Sequence, residues 1–231
     1  MTATPTRQTK TAIILFVALS IVHLTAIVAG WEPLRFWTKL FLMPLLAATV
    51  VLAGGRRFGL PAVLLVIALV FSTLGDIALL GDGSGMFIAG LSAFLLAHLA
   101  YIAIFVGSGG TRRPRWWSVA FVGWFAVLMI ILVPHLGALL VPVVGYGVVI
   151  AVMAITATRW SPLVIVGATL FLLSDSVLAV NRFVPEVVLW EPGLVIMLTY
   201  IAGQALIAWG LVATWQSRTS PAAPRTIGAT V

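Results

Sequence analysis

The sequence predicts an all-α protein, a polytopic transmembrane helical bundle of about eight helices. Of its 231 residues, 62% are hydrophobic and only 8% are charged. A soluble domain carries about 25% charged residues, so this chain cannot cover itself with a wetted surface. A spanning helix needs about 20 apolar residues to cross roughly 30 Å of hydrocarbon. The chain divides into eight runs of about that length, each bounded by Gly, Pro, Arg or Trp.

The runs fall at about 11–29, 36–53, 59–80, 84–106, 116–133, 137–157, 162–180 and 193–215. The first follows Arg7 and Lys10. It is longer than the apolar core of a signal peptide and no clean A-x-A site follows it, so it reads as a helix. Residues 1–10 are expected to form a cytoplasmic tail, 11–215 a single transmembrane domain, and 216–231 a disordered cytoplasmic tail rich in Thr, Ala and Pro.

The positive-inside rule tests this count, because a missed or invented helix would scramble Lys and Arg between alternate loops. With the N-terminus in the cytoplasm, that side receives Arg7, Lys10, Arg56, Arg57, Arg112, Arg113, Arg115, Arg159, Arg218 and Arg225, and the outer side only Arg35, Lys39 and Arg182. Eight helices with both termini cytoplasmic is the consistent answer. An alanine- and valine-rich composition fits a high-GC bacterium, and so the plasma membrane of one.

The net charge of +7 and the pI near 11.1 do not point to nucleic acid, since the basic residues occur singly or in twos and threes without interleaved aromatics. Cysteine is absent, and His23, His98 and His135 are scattered without HExxH spacing. No metal and no cofactor are expected. Oligomeric state is not legible.

Asp76 and Asp175 are 99 residues apart, as are the triplets Tyr101–Ala103 and Tyr200–Ala202. That offset suggests two four-helix halves repeated in parallel about an axis along the membrane normal. Chance matches among common apolar residues compete with it, and the sequence leaves both readings open.

A carboxylate in hydrocarbon costs about 2.5–3.5 kcal/mol on insertion scales, so such groups face the bundle interior and have a use. Asp76 follows Ser72 by one turn, and Asp175 lies between Ser174 and Ser176. Both belong near the outer ends of the third and seventh helices. On the fourth helix, Gly90, Phe94, His98, Tyr101 and Phe105 form one stripe. A lone histidine in a span is more often a packing residue, although an imidazole can also exchange a proton near neutral pH. Tyr200 and Gln204 form an i, i+4 pair, and Tyr146 and Lys39 complete the outer polar inventory. Lys39 has the alternative of snorkelling to the interface. With no G-x-S-x-G elbow and no phosphate-cradling glycine loop, the equipment is that of general acid and base catalysis.

In these features the chain resembles the YhhN/lysoplasmalogenase family of membrane proteins. The residues that carry the resemblance are Lys39-Leu-Phe-Leu-Met-Pro44, Ser72-Thr-Leu-Gly-Asp76 and Gly90…Phe94…His98…Tyr101. It continues with Tyr146, with Gly167 through Asp175 to Ala179 followed by Asn181 and Phe183, and with Tyr200…Gln204. Leu40 stands where the pattern has proline. The resemblance implies hydrolysis of the vinyl ether bond of a lysophospholipid, giving a fatty aldehyde and a glycerophospho-headgroup. Together with the polar inventory it nominates Asp76, Asp175 and His98 as catalytic, and Lys39, Ser72, Tyr101, Tyr146, Ser174, Asn181, Tyr200 and Gln204 as substrate-binding. Two other classes stay open: a proton-coupled transporter or flippase for a lysolipid, and a structural protein whose polar contacts glue helices together.

Overall fold

A computed structural model describes residues 6–54, 57–107, 110 and 113–219. The charges of Arg56, Arg112 and Arg225, and tail residues 1–5 and 220–231, lie outside the described residues. The chain forms α1 (Arg7–Val28), α2 (Glu32–Leu52), α3 (Leu60–Ala78), α4 (Gly83–Gly107), α5 (Val119–Leu136), α6 (Leu140–Ala157), α7 (Pro162–Phe183) and α8 (Pro192–Thr219). Among the described residues there are no strands.

Local signals set the boundaries. The Thr6 side chain accepts from the Thr9 amide and caps α1. Prolines within the first two positions open α2, α3 and α7, where a missing N–H costs nothing. Trp116–Ala157 makes one apolar stretch of 42 residues, which as a straight helix would reach about 63 Å, twice the hydrocarbon thickness. It is broken by a 3₁₀ turn at Gly137–Leu139, where Gly137 adopts a φ of +48°, and α5 folds back on α6. Counting that stretch once, seven helical segments are long and apolar enough to cross a membrane.

Two ends differ from the sequence reading. Residues 7–10, assigned to a tail, form the first turn of α1, whose Thr9 hydroxyl donates to the Leu52 carbonyl at 3.0 Å. Residues 216–219 continue α8, because Gln216 Nε2 donates to the Ala53 carbonyl at 3.1 Å and the Arg218 guanidinium sits 5.9 Å over the Trp160 ring.

Ile14, Val63, Ile130 and Val141 lie exposed on outward faces, as lipid-facing positions require. The interior is closed by small residues, since without water there is no hydrophobic drive between spans and association rests on close packing. A Cβ at Gly167 would meet the Gly203 carbonyl oxygen at 2.7 Å, and one at Gly203 would meet that of Gly167 at 2.9 Å. Backbones of α7 and α8 therefore touch. On α3, Gly75 makes room for the Phe94 ring of α4.

Candidate functional site

On α2, Arg35 and Lys39 stand one turn apart on the same face. Arg35 pairs with Glu32 at the exposed start of the helix. Lys39 reaches inward, and its Nζ lies 3.4 Å from Asp76 Oδ1 in the last turn of α3. From α8, Tyr200 Oη donates to Asp76 Oδ2 at 2.8 Å. Phe94 and Phe171 meet the Tyr200 ring edge-on at 5.9 and 5.3 Å and fix its direction.

Asp175 of α7 has different company. Tyr146 Oη of α6 donates to its Oδ2, and no ion pair involves it among the described residues. Its neighbour Ser174 turns away to donate to the Ile196 carbonyl at 2.9 Å. Ser176 donates to the Leu172 carbonyl at 2.7 Å and accepts from Trp124 Nε1 at 3.0 Å.

The two carboxyls share a cavity of about 170 Å³, whose polar lining is Arg35, Lys39, Asp76, Ser174, Asp175 and Tyr200. A second cavity of about 60 Å³ lies among α4, α5, α6 and α7. Its walls are apolar, Phe87, Leu128, Val143 and Ile150 among them, except at Tyr146, Asp175 and Ser176. Leu79, Phe94, Asp175 and Leu178 belong to both. Asp175 thus stands where a polar chamber meets an apolar one, whereas Asp76 is buried beside a cation.

The remaining nominated residues divide. Tyr101 donates to Gln204 Oε1, and Gln204 Nε2 donates to Ser72 Oγ at 2.9 Å. All three are fully buried; Ser72 lies one turn before Asp76 and Gln204 one turn after Tyr200, and the three bind α3, α4 and α8 together outside the chamber's lining. His98 Nδ1 lies 2.5 Å from the Phe94 carbonyl oxygen, which can only accept, so Nδ1 carries the proton. Its Nε2 has no partner among the described residues, and the ring packs edge-on against Tyr146 at 5.3 Å and Phe171 at 4.8 Å. Asn181 is exposed near the end of α7 and takes no part in the chamber. Among the described residues no three His, Asp or Glu side chains converge.

Sequence reasoning missed Arg35 as a site residue, having counted it as a topology charge. Its place four residues before Lys39 was the available signal. Trp124, the partner of Ser176, carried no signal at all.

This arrangement defines a helical integral membrane protein with a carboxyl pair enclosed between spans. The chain belongs to the YhhN family, whose model matches residues 34–211 and so takes in every chamber residue from Arg35 to Tyr200. It is 36% identical over 133 residues to proteins named lysoplasmalogenase from Mycobacterium bovis and Mycobacterium tuberculosis, covering 52% of this chain and 50% of each relative. It is 35% identical over 150 residues to human lysoplasmalogenase TMEM86B, covering 61% of this chain and 59% of that protein. The chain thus spans about half the length of the mycobacterial relatives it matches. No solved structure matches it.

Proposed function

We propose that this protein is a membrane-embedded hydrolase that cleaves the vinyl ether bond of a lysoplasmalogen or a related lysolipid. The observation that carries the reading is the pair of carboxyls in one chamber, one held by a cation and the other facing an apolar cavity. Vinyl ether hydrolysis begins with protonation of an alkene carbon. That gives an oxocarbenium ion, which water captures, so the reaction needs a general acid and a nearby anion but no nucleophilic serine.

The two environments support a division of roles. Asp175, without a cation and oriented by Tyr146, donates its proton to the vinyl carbon two bonds from the ether oxygen. Asp76, kept as a carboxylate by Lys39 and Tyr200, stabilises the cation and accepts a proton from the attacking water. The resulting hemiacetal collapses to fatty aldehyde and the glycerol hydroxyl, one water being consumed overall, and the proton on Asp76 passes back to Asp175 to reset the pair. Arg35 and Lys39 at the chamber mouth suit the headgroup phosphate. His98 is a positioning residue that holds the Tyr146 ring.

The same reading takes residues 11–215 as one transmembrane domain that crosses the bacterial plasma membrane eight times with both ends cytoplasmic. The excess of Lys and Arg on alternate loops supports it. The hydrolase is tested by supplying purified protein in mild detergent with a lysoplasmalogen and its saturated ether analogue. Aldehyde from the vinyl ether alone is expected. No aldehyde from either compound with folded protein would overturn vinyl ether cleavage and leave a different lysolipid substrate or transport.

A further inference from the structure

Arg35 and Lys39 line the polar side of the carboxyl chamber, but a hydrocarbon chain resting in the bilayer has to arrive from the side. Two membrane-facing grooves flank the apolar cavity. One, of about 380 Å³, runs between α5 and α7 and meets that cavity at Leu128 and Ser176. The other, of about 220 Å³, runs between α4 and α6 and meets it at Leu91 and Tyr146.

We propose that the α5–α7 groove is the portal through which the single hydrocarbon chain of a lysolipid passes from the bilayer to Asp175, with α5 as the element that yields. This rests on the lysolipid reading of the chamber. Among the described residues α5 buries only Phe121, Leu132 and Leu136, and between 122 and 131 it is held by the partly buried Phe125, Leu128 and Met129. Among the described residues, what crosses the groove there is one hydrogen bond, from Trp124 Nε1 to Ser176 Oγ at 3.0 Å. Ser176 directly follows Asp175, so a chain that parts this contact arrives beside the proton donor. The α4–α6 groove is the poorer route, because its inner wall is Tyr146, whose hydroxyl is engaged by Asp175.

Each groove contains a glycine at which an added Cβ meets no atom within 4 Å: Gly123 in the first and Gly145 in the second. Gly123→Phe and Gly145→Phe therefore plug one groove each without a clash at the point of attachment. The measurement is the ratio of kcat/KM for a long-chain vinyl ether lysolipid in phosphatidylcholine vesicles to that for a water-soluble short-chain analogue. For Gly123→Phe the ratio is expected to fall by roughly tenfold or more, equivalent to losing about two buried methylenes. For Gly145→Phe it should stay at the wild-type value. A fall in both, in Gly145→Phe alone or in neither overturns the portal.

A second measurement does not depend on hydrolysis. A saturated lysophospholipid with a diazirine at the end of its chain, irradiated with the vesicle-bound wild type, should label peptides of α5 and α7 around Val127 and Val180. Label confined to α4 and α6 overturns the portal. If the wild type releases no aldehyde while the probe labels α5 and α7, the hydrolase reading fails and the portal stands.

Discussion

Replacing Lys39 with methionine probes the contact that separates the two carboxyls. Lys39 Nζ is 3.4 Å from Asp76 Oδ1, with side chains only 15% and 4% exposed. At an effective dielectric of about 20, that separation corresponds to about 5 kcal/mol of attraction, which is a ceiling rather than a net worth. Desolvation offsets much of it, yet removing one partner leaves the other charge buried, and such losses run to about 3–5 kcal/mol. Lys39→Met is therefore expected to destabilise strongly, since among the described residues Tyr200 alone remains on the carboxylate. Asp76→Asn strands the ammonium in turn, and the double variant removes both charges. Denaturant unfolding in detergent, followed by tryptophan fluorescence, closes the cycle. The double variant should be more stable than the sum of the singles by about 2–3 kcal/mol. A coupling energy below about 0.5 kcal/mol, the limit of ordinary additivity, would refute the argument that Lys39 holds Asp76 as a carboxylate.

Other perturbations separate the neighbouring roles. Tyr146→Phe deletes the only side-chain donor to Asp175 among the described residues and should lower kcat by roughly 10- to 100-fold with little change in KM, as expected for a charge-assisted hydrogen bond of about 1.5–3 kcal/mol. Steady-state kinetics check the split. Arg35→Ala should raise KM for a phosphorylated lysolipid roughly five- to tenfold, about 1–1.4 kcal/mol, and leave KM for an analogue lacking the phosphate in place. Gly203→Leu drives a side chain into the Gly167 carbonyl and the Phe171 backbone. It should cost more than about 3 kcal/mol and abolish a monodisperse peak in size-exclusion chromatography.

The helices were legible because hydrocarbon imposes a length and a composition that few other settings demand. Their ends were less so: α7 runs to Phe183 and α8 to Thr219, since polar residues at a span's end can be tied down by contacts no pattern reveals, such as Gln216 on Ala53. Asp76 and Asp175 stood out because charge in a span is costly, and that reasoning needs no partner. The partners were a different matter. Tyr200 meets Asp76 across 124 residues and Tyr146 meets Asp175 across 29, distances over which local spacing carries no information. The 99-residue offset pairs Tyr101 with Tyr200, yet Tyr200 bonds a carboxyl and Tyr101 bonds Gln204. Asn181 was nominated from a motif alone, and it lies exposed, away from the chamber.

In the proposed reaction Asp175 protonates a vinyl carbon while Asp76 manages the water. It is tested most directly by running the reaction in D2O and analysing trapped aldehyde by mass spectrometry, for wild type, Asp175→Asn and Asp76→Asn. One deuterium is expected on the carbon next to the aldehyde group in the wild-type product, with loss of turnover in both folded variants. Full rates in Asp175→Asn, or aldehyde without deuterium at that carbon, would contradict it.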